Sequence, residues 1–75
     1  MKQKIFPHIT VDPTVRFGKP VIEGTRVPVD LILGKIAGGM TIEDVRKDYD
    51  LTLPQVRAAL GYAAKLVADE KIAFA

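Results

Sequence analysis

The apolar positions of this chain change their spacing near residue 29. Before it they come in short β-branched groups: Ile9-Thr10-Val11, Val15-Arg16-Phe17, Val21-Ile22 and Val27-Pro28-Val29. Turn formers separate the groups, at Asp12-Pro13, Gly18-Lys19-Pro20 and Gly24-Thr25. β-Branched residues suit a pleated, half-buried surface, while Gly, Pro and Asp supply the backbone angles of tight turns. Residues 1–28 therefore read as a small β segment whose first strand is Ile9–Val11. Pro28 has no N–H, so its strand is expected at an edge or to end there.

Beyond residue 29 the apolar steps become three and four, the spacing of a helix face. A first helix is predicted from near Val29 and Asp30, with Leu31, Ile32, Ile36 and Ala37 on one face and Leu33 on its flank. Gly38-Gly39 ends it. A second helix starts at Thr41, where Thr41-Ile42-Glu43-Asp44 is a near capping box with two acids in the first turn. Ile42, Val45 and Tyr49 share a face, and Arg46, Lys47 and Asp48 look toward solvent. A third helix starts at Thr52 with a full capping box, Thr52-Leu53-Pro54-Gln55, and runs to about Glu70. Leu53, Val56, Leu60, Ala63 and Val67 form its apolar stripe. Pro54, Ala58, Gly61, Lys65 and Asp69 form the opposite, exposed stripe. The predicted fold is α+β: one domain over residues 1–75, a β segment (1–28) leading into a three-helix part (29–75).

The second and third helices are separated only by residues around Asp50-Leu51, the connection a helix-turn-helix needs. In such a pair the second helix enters the major groove, N-terminal residues first. Here Thr52, Gln55, Arg57 and Lys65 would face DNA, with Arg46 and Lys47 on backbone phosphates; Gln and Arg are able to make bidentate base contacts. From spacing alone, a solvated corner of a helical bundle explains the same residues. The small side chains of the exposed stripe admit a second helix as readily as a phosphate backbone.

Composition adjusts this picture only slightly. A chain of 75 residues buries roughly 60% of its unfolded surface, so a hydrophobic share of 48% reads either as a dense core or as apolar surface closed against a second subunit or a partner; of these, a homodimer is expected. Without cysteine, neither a disulfide nor a thiolate metal cage is available. The formal charge is +2, weak as an argument for nucleic acid. Its distribution is uneven: residues 1–35 carry Lys2, Lys4, Arg16, Lys19, Arg26 and Lys35 against Asp12, Glu23 and Asp30, while the helical part is nearly balanced. Without a signal-peptide core or a membrane-length apolar run, a cytoplasmic protein with no membrane association is expected.

Gly18-Lys19-Pro20 invites comparison with a phosphate-binding loop, but the spacing is wrong and Pro20 removes a backbone donor. Gly24-Thr25-Arg26 reads as a tight bend, with Thr25 capping the turn and Arg26 held by a carboxylate, Asp30 or Asp12. Catalysis is not expected. His8 is the only histidine, near the terminus and without a carboxylate at ligand spacing, and the acids are scattered along helices. No cofactor or metal is predicted.

The string Gly18-Lys19-Pro20-Val21-Ile22-Glu23-Gly24-Thr25-Arg26-Val27-Pro28-Val29, together with Ile9-Thr10-Val11-Asp12-Pro13, Gly39-Met40-Thr41-Ile42-Glu43-Asp44-Val45, Tyr49, Leu53 and Ala58-Ala59-Leu60, resembles the prokaryotic family catalogued as domain of unknown function 433. The likeness spans about Ile9 to Val67. It implies a winged or homeodomain-like helix-turn-helix behind an N-terminal β segment, in proteins treated as VapB-type antitoxins. By that resemblance the chain would neutralise a PIN-like ribonuclease encoded beside it and repress its own operon by binding double-stranded operator DNA. A symmetric dimer would suit a palindromic operator. Many antitoxins carry a long C-terminal arm for the toxin. Here few residues follow the third helix, so the folded surface or the termini are expected to bind it; a pure interaction module without DNA binding is the alternative.

Overall fold

The computed structural model describes residues 1–70. Three strands, β1 (Gln3–Phe6), β2 (Ile9–Val11) and β3 (Val21–Ile22), precede three helices, α1 (Val29–Ala37), α2 (Ile42–Tyr49) and α3 (Leu53–Asp69). The strands form one antiparallel sheet in the order β1-β2-β3. The α+β arrangement expected from the pattern is present. The apolar tail at Ile72–Ala75 lies outside the described residues.

Strand β1 was not expected. Its sequence, Gln-Lys-Ile-Phe, places only Phe6 partly inside, so no alternating pattern marks it. It exists because Pro7-His8 closes a two-residue hairpin: the proline ring presets a negative φ at the first central position, and His8 takes φ +66° at the second, the combination of a type II turn. The turn is tied down from below: the His8 carbonyl accepts a 2.7 Å hydrogen bond from Glu23 N–H. His8 is therefore a hairpin residue rather than part of a loose terminus. A bulge between Lys4 and Phe6 aims the Phe6 ring toward α3.

The core takes one to three side chains from almost every element: Ile9, Ile22, Val29, Ile32, Val45, Leu51, Val56, Ala58 and Ala59. Full burial of an Ile or Val side chain stabilises by about 1.5–3 kcal/mol. Two expectations for α3 change. Ala58 is buried, and Gly61 faces Phe6, whose Cε2 and Cζ would lie 3.5 Å from an added Cβ. The unforeseen hairpin covers that stripe at Gly61, with Phe6 also tilted against Tyr62 at 5.8 Å between ring centroids, while Pro54, Lys65 and Asp69 stay exposed. Val67, expected on the buried face, is 68% exposed, and Leu66 is 53% exposed. The last turns of α3 outrun the core.

The helix ends follow local chemistry. At the end of α1, Gly39 has φ +109°, and Met40 N–H reaches the Lys35 carbonyl at 3.0 Å, which satisfies a terminal acceptor. Thr41 Oγ1 accepts from Asp44 N–H, but the return bond is absent among the described residues; aspartate is one methylene shorter than the glutamate of a full box. At α3 both bonds are made: Gln55 N–H to Thr52 Oγ1, 3.3 Å, and Thr52 N–H to Gln55 Oε1, 2.8 Å. Thr52→Ala is expected to cost about 1 kcal/mol in urea unfolding, with Thr52→Ser close to wild type.

Candidate functional site

The corner between α2 and α3 is tight. Asp50 takes a left-handed conformation at φ +54°, Leu51 N–H returns to the Arg46 carbonyl at 2.9 Å, and the Leu51 side chain is buried as a plug. The six candidate DNA contacts are not equally free. Thr52 and the Gln55 carbonyl oxygen are spent on the capping box. Arg46 pairs with Glu43 and also donates to the Leu51 carbonyl at 3.4 Å, bracing the turn. Lys65 pairs with Asp69 at 2.9 Å. Arg57 and Lys47 are exposed and make no ion pair among the described residues. Residues 41–70 hold Arg46, Lys47, Arg57 and Lys65 against Glu43, Asp44, Asp48, Asp50, Asp69 and Glu70, so this corner is acidic in net charge.

The positive charge lies on the other half. The segment from Gly18 to Val29 folds as a brace between sheet and helix. Ile22 N–H bonds the Val27 carbonyl at 3.0 Å, and Val29 N–H bonds the Pro20 carbonyl at 2.9 Å. Pro28 bridges Val21 at the sheet edge, where its missing donor is tolerated, and is buried. Gly24 sits at φ +79°. Thr25 Oγ1 donates to the Ile22 carbonyl at 2.8 Å and accepts from Val27 N–H at 3.0 Å, which locks the bend.

Among the described residues Arg26 does not meet a carboxylate. Lys19 reaches Asp30 first, at 3.0 Å, and Asp12 accepts from Thr14, so both expected partners are taken. The Arg26 carbonyl instead accepts from Arg16 Nε at 3.1 Å. The Lys19 hydrogen bond holds the Asp30 carboxyl below its ordinary value. Asp30 therefore contributes stability above the unfolded carboxylate range, lost as pH falls through its lowered folded value. The Lys19→Ala variant is expected to return the Asp30 midpoint upward in an NMR pH titration. Both groups are exposed, so the effect on stability is small.

A feature the sequence did not disclose lies just before Gly18. Val15 to Gly18 is a tight turn closed by Gly18 N–H to the Val15 carbonyl at 3.1 Å. Its two central residues are Arg16 at φ +51° and Phe17 at φ +56°. A turn with positive φ at both centres favours Asn-Gly, and bulky residues there cost about 1 kcal/mol or more each. Phe17 is fully solvent-exposed, at 101%. Alternation in Val15-Arg16-Phe17 hid this, since the pattern reads equally as strand.

A shallow groove of about 260 Å³ runs beside the brace, floored by Pro20, Val29, Leu33, Tyr62, Ala63 and Leu66, with the Lys19–Asp30 pair at its rim. Among the described residues, no three His, Asp or Glu side chains gather as metal ligands, and no helix is long and apolar enough to cross a membrane.

Comparison with known proteins places this geometry. Residues 9–63 match the model of a family described as a protein of unknown function, DUF433. A candidate antitoxin of Mycobacterium tuberculosis, VapB45, is 38% identical over 53 residues, which covers 71% of this chain and 22% of that protein. The uncharacterised protein Rv2308 of the same organism is 37% identical over 62 residues, 83% of this chain and 26% of its own length. The crystal structure of Rv2018 from that organism superposes with a TM-score of 0.63 at 38% identity, covering 69% of this chain and 24% of that one. The chain thus spans about a quarter of the relatives it matches.

Proposed function

The chain belongs to the DUF433 family, and on that premise we propose that it is an antitoxin-like module that neutralises a PIN-like ribonuclease encoded beside it. The observation that carries this reading is its 38% identity, over 71% of its length, to the candidate antitoxin VapB45. A non-enzymatic role agrees with acids dispersed along the chain and with a single histidine, His8. The test is a ribonuclease assay on the purified product of the neighbouring gene. Stoichiometric addition of this protein is expected to suppress cleavage and yield a stable complex by gel filtration. Cleavage unchanged at excess protein overturns the reading.

A second reading, operator binding, is favoured by the tight α2–α3 corner and by exposed Arg57 and Lys47. Because the corner is acidic overall, the expected affinity comes from two copies acting together and falls steeply with salt. Arg57→Ala is expected to weaken a gel shift on the gene's own promoter, and Lys65→Ala to do so less, since Asp69 holds that lysine. The proposed second copy meets the first through exposed Leu66 and Val67, which sedimentation equilibrium with a Leu66→Glu variant examines.

A further inference from the structure

We infer that the Arg16–Phe17 turn is a docking knob for a partner protein that offers an apolar pocket rimmed by carboxylates. The inference rests on the partnership proposed above and assigns it to the β half of the molecule rather than to the helices. Three observations converge on the turn. Phe17 is completely exposed, on a chain whose other phenylalanine in the described residues, Phe6, packs on α3. The backbone that projects it is left-handed at Arg16, Phe17 and Gly18 in succession, a conformation that neither Arg nor Phe favours. Among the described residues nothing draws Phe17 into that position, since its ring is fully exposed. The hydrogen bonds that hold the turn end on its backbone and on Arg16, so the exposed ring itself repays none of the strain at Phe17, a mark of a surface shaped for something else.

Charge specifies the occupant. Arg16 and Arg26 are joined side by side through the Arg16 Nε bond to the Arg26 carbonyl, and neither makes an ion pair among the described residues. Arg16 adjoins Phe17 in the turn, and both arginines belong to residues 1–35, which carry six basic side chains against three acidic ones. A large apolar anchor beside guanidinium groups is the composition of an interface hot spot. Matching carboxylates would steer the encounter and fix its register. Single-stranded nucleic acid is the less suitable occupant. Such sites stack successive bases on several aromatic side chains, whereas Phe17 stands alone.

The test measures binding of the full chain to the purified product of the neighbouring gene by calorimetry, with variants Phe17→Asn, Arg26→Glu and wild type. Asparagine tolerates the left-handed backbone, so Phe17→Asn is expected to keep or raise the melting temperature while weakening binding at least tenfold. Arg26→Glu is expected to weaken it further at low salt than at high salt. A wild-type chain that binds while Phe17→Asn binds within twofold of it overturns the knob and leaves the partnership standing. A wild-type chain that does not bind overturns the partnership and the knob with it. Anisotropy of a labelled 20-nucleotide oligothymidine that rises with wild type but not with Phe17→Asn also overturns the inference, in favour of base stacking.

Discussion

Ile32→Ala is expected to remove most of the stability of this domain. Ile32 is fully buried on α1, the helix that packs against both α2 and α3. Truncating a buried Ile to Ala costs about 2–5 kcal/mol, from lost transfer energy plus the cavity left behind. Small domains have about 5 kcal/mol in total at the low end of the native range. A loss near 3 kcal/mol would put the urea midpoint close to zero denaturant, with much of the population unfolded at 37 °C. Ile32→Val, which removes one methyl, is expected to cost only about 1 kcal/mol. Both are read from urea unfolding followed by circular dichroism. Equal midpoints for Ile32→Ala and wild type would show that the three helices do not share one core.

Gly24→Val is the second large effect, at about 2 kcal/mol. Gly24 sits at φ +79° with no atom within 4 Å of where a Cβ would be placed. The cost is therefore conformational and not a clash: a β-branched residue is a strong outlier in the left-handed region. Gly24→Asn separates the two explanations, because asparagine tolerates this backbone. It is expected to retain most of the stability, within about 1 kcal/mol. If instead Gly24 were needed for close approach of a ligand, both variants would fold alike and fail alike in partner binding. Thermal melts and partner calorimetry on the same two proteins distinguish these results.

The helical half was legible because its signals are local. Thr41, Thr52-x-x-Gln55 and Gly38-Gly39 marked the helix ends to within a residue or two, and the spacing of Val45, Val56 and Ile32 named core positions. The bend at Gly24-Thr25 was legible for the same reason: the hydroxyl serves backbone groups two and three residues away. What the sequence hid was set at long range. β1 exists through pairing with β2, not through its own pattern, and its Phe6 then packs at Gly61 on the α3 stripe that the helical spacing left open. Arg26 lost its expected carboxylate because Lys19, seven residues earlier, reaches Asp30. Of the six residues proposed for DNA contact, three turned out to be occupied by helix-end or turn bonds and one by an ion pair, which a linear reading of side-chain chemistry does not reveal.

The sheet has two rims, and both are blunted. On one side β1 is bulged between Lys4 and Phe6 and carries lysine outward. On the other, β3 is only two residues long and meets Pro28, which has no donor to offer a newcomer. Bulges, lysines and prolines at strand margins are the devices by which natural sheets refuse further strands. The protein is consequently guarded against runaway fibre growth. At high concentration its small sheet is not expected to seed amyloid.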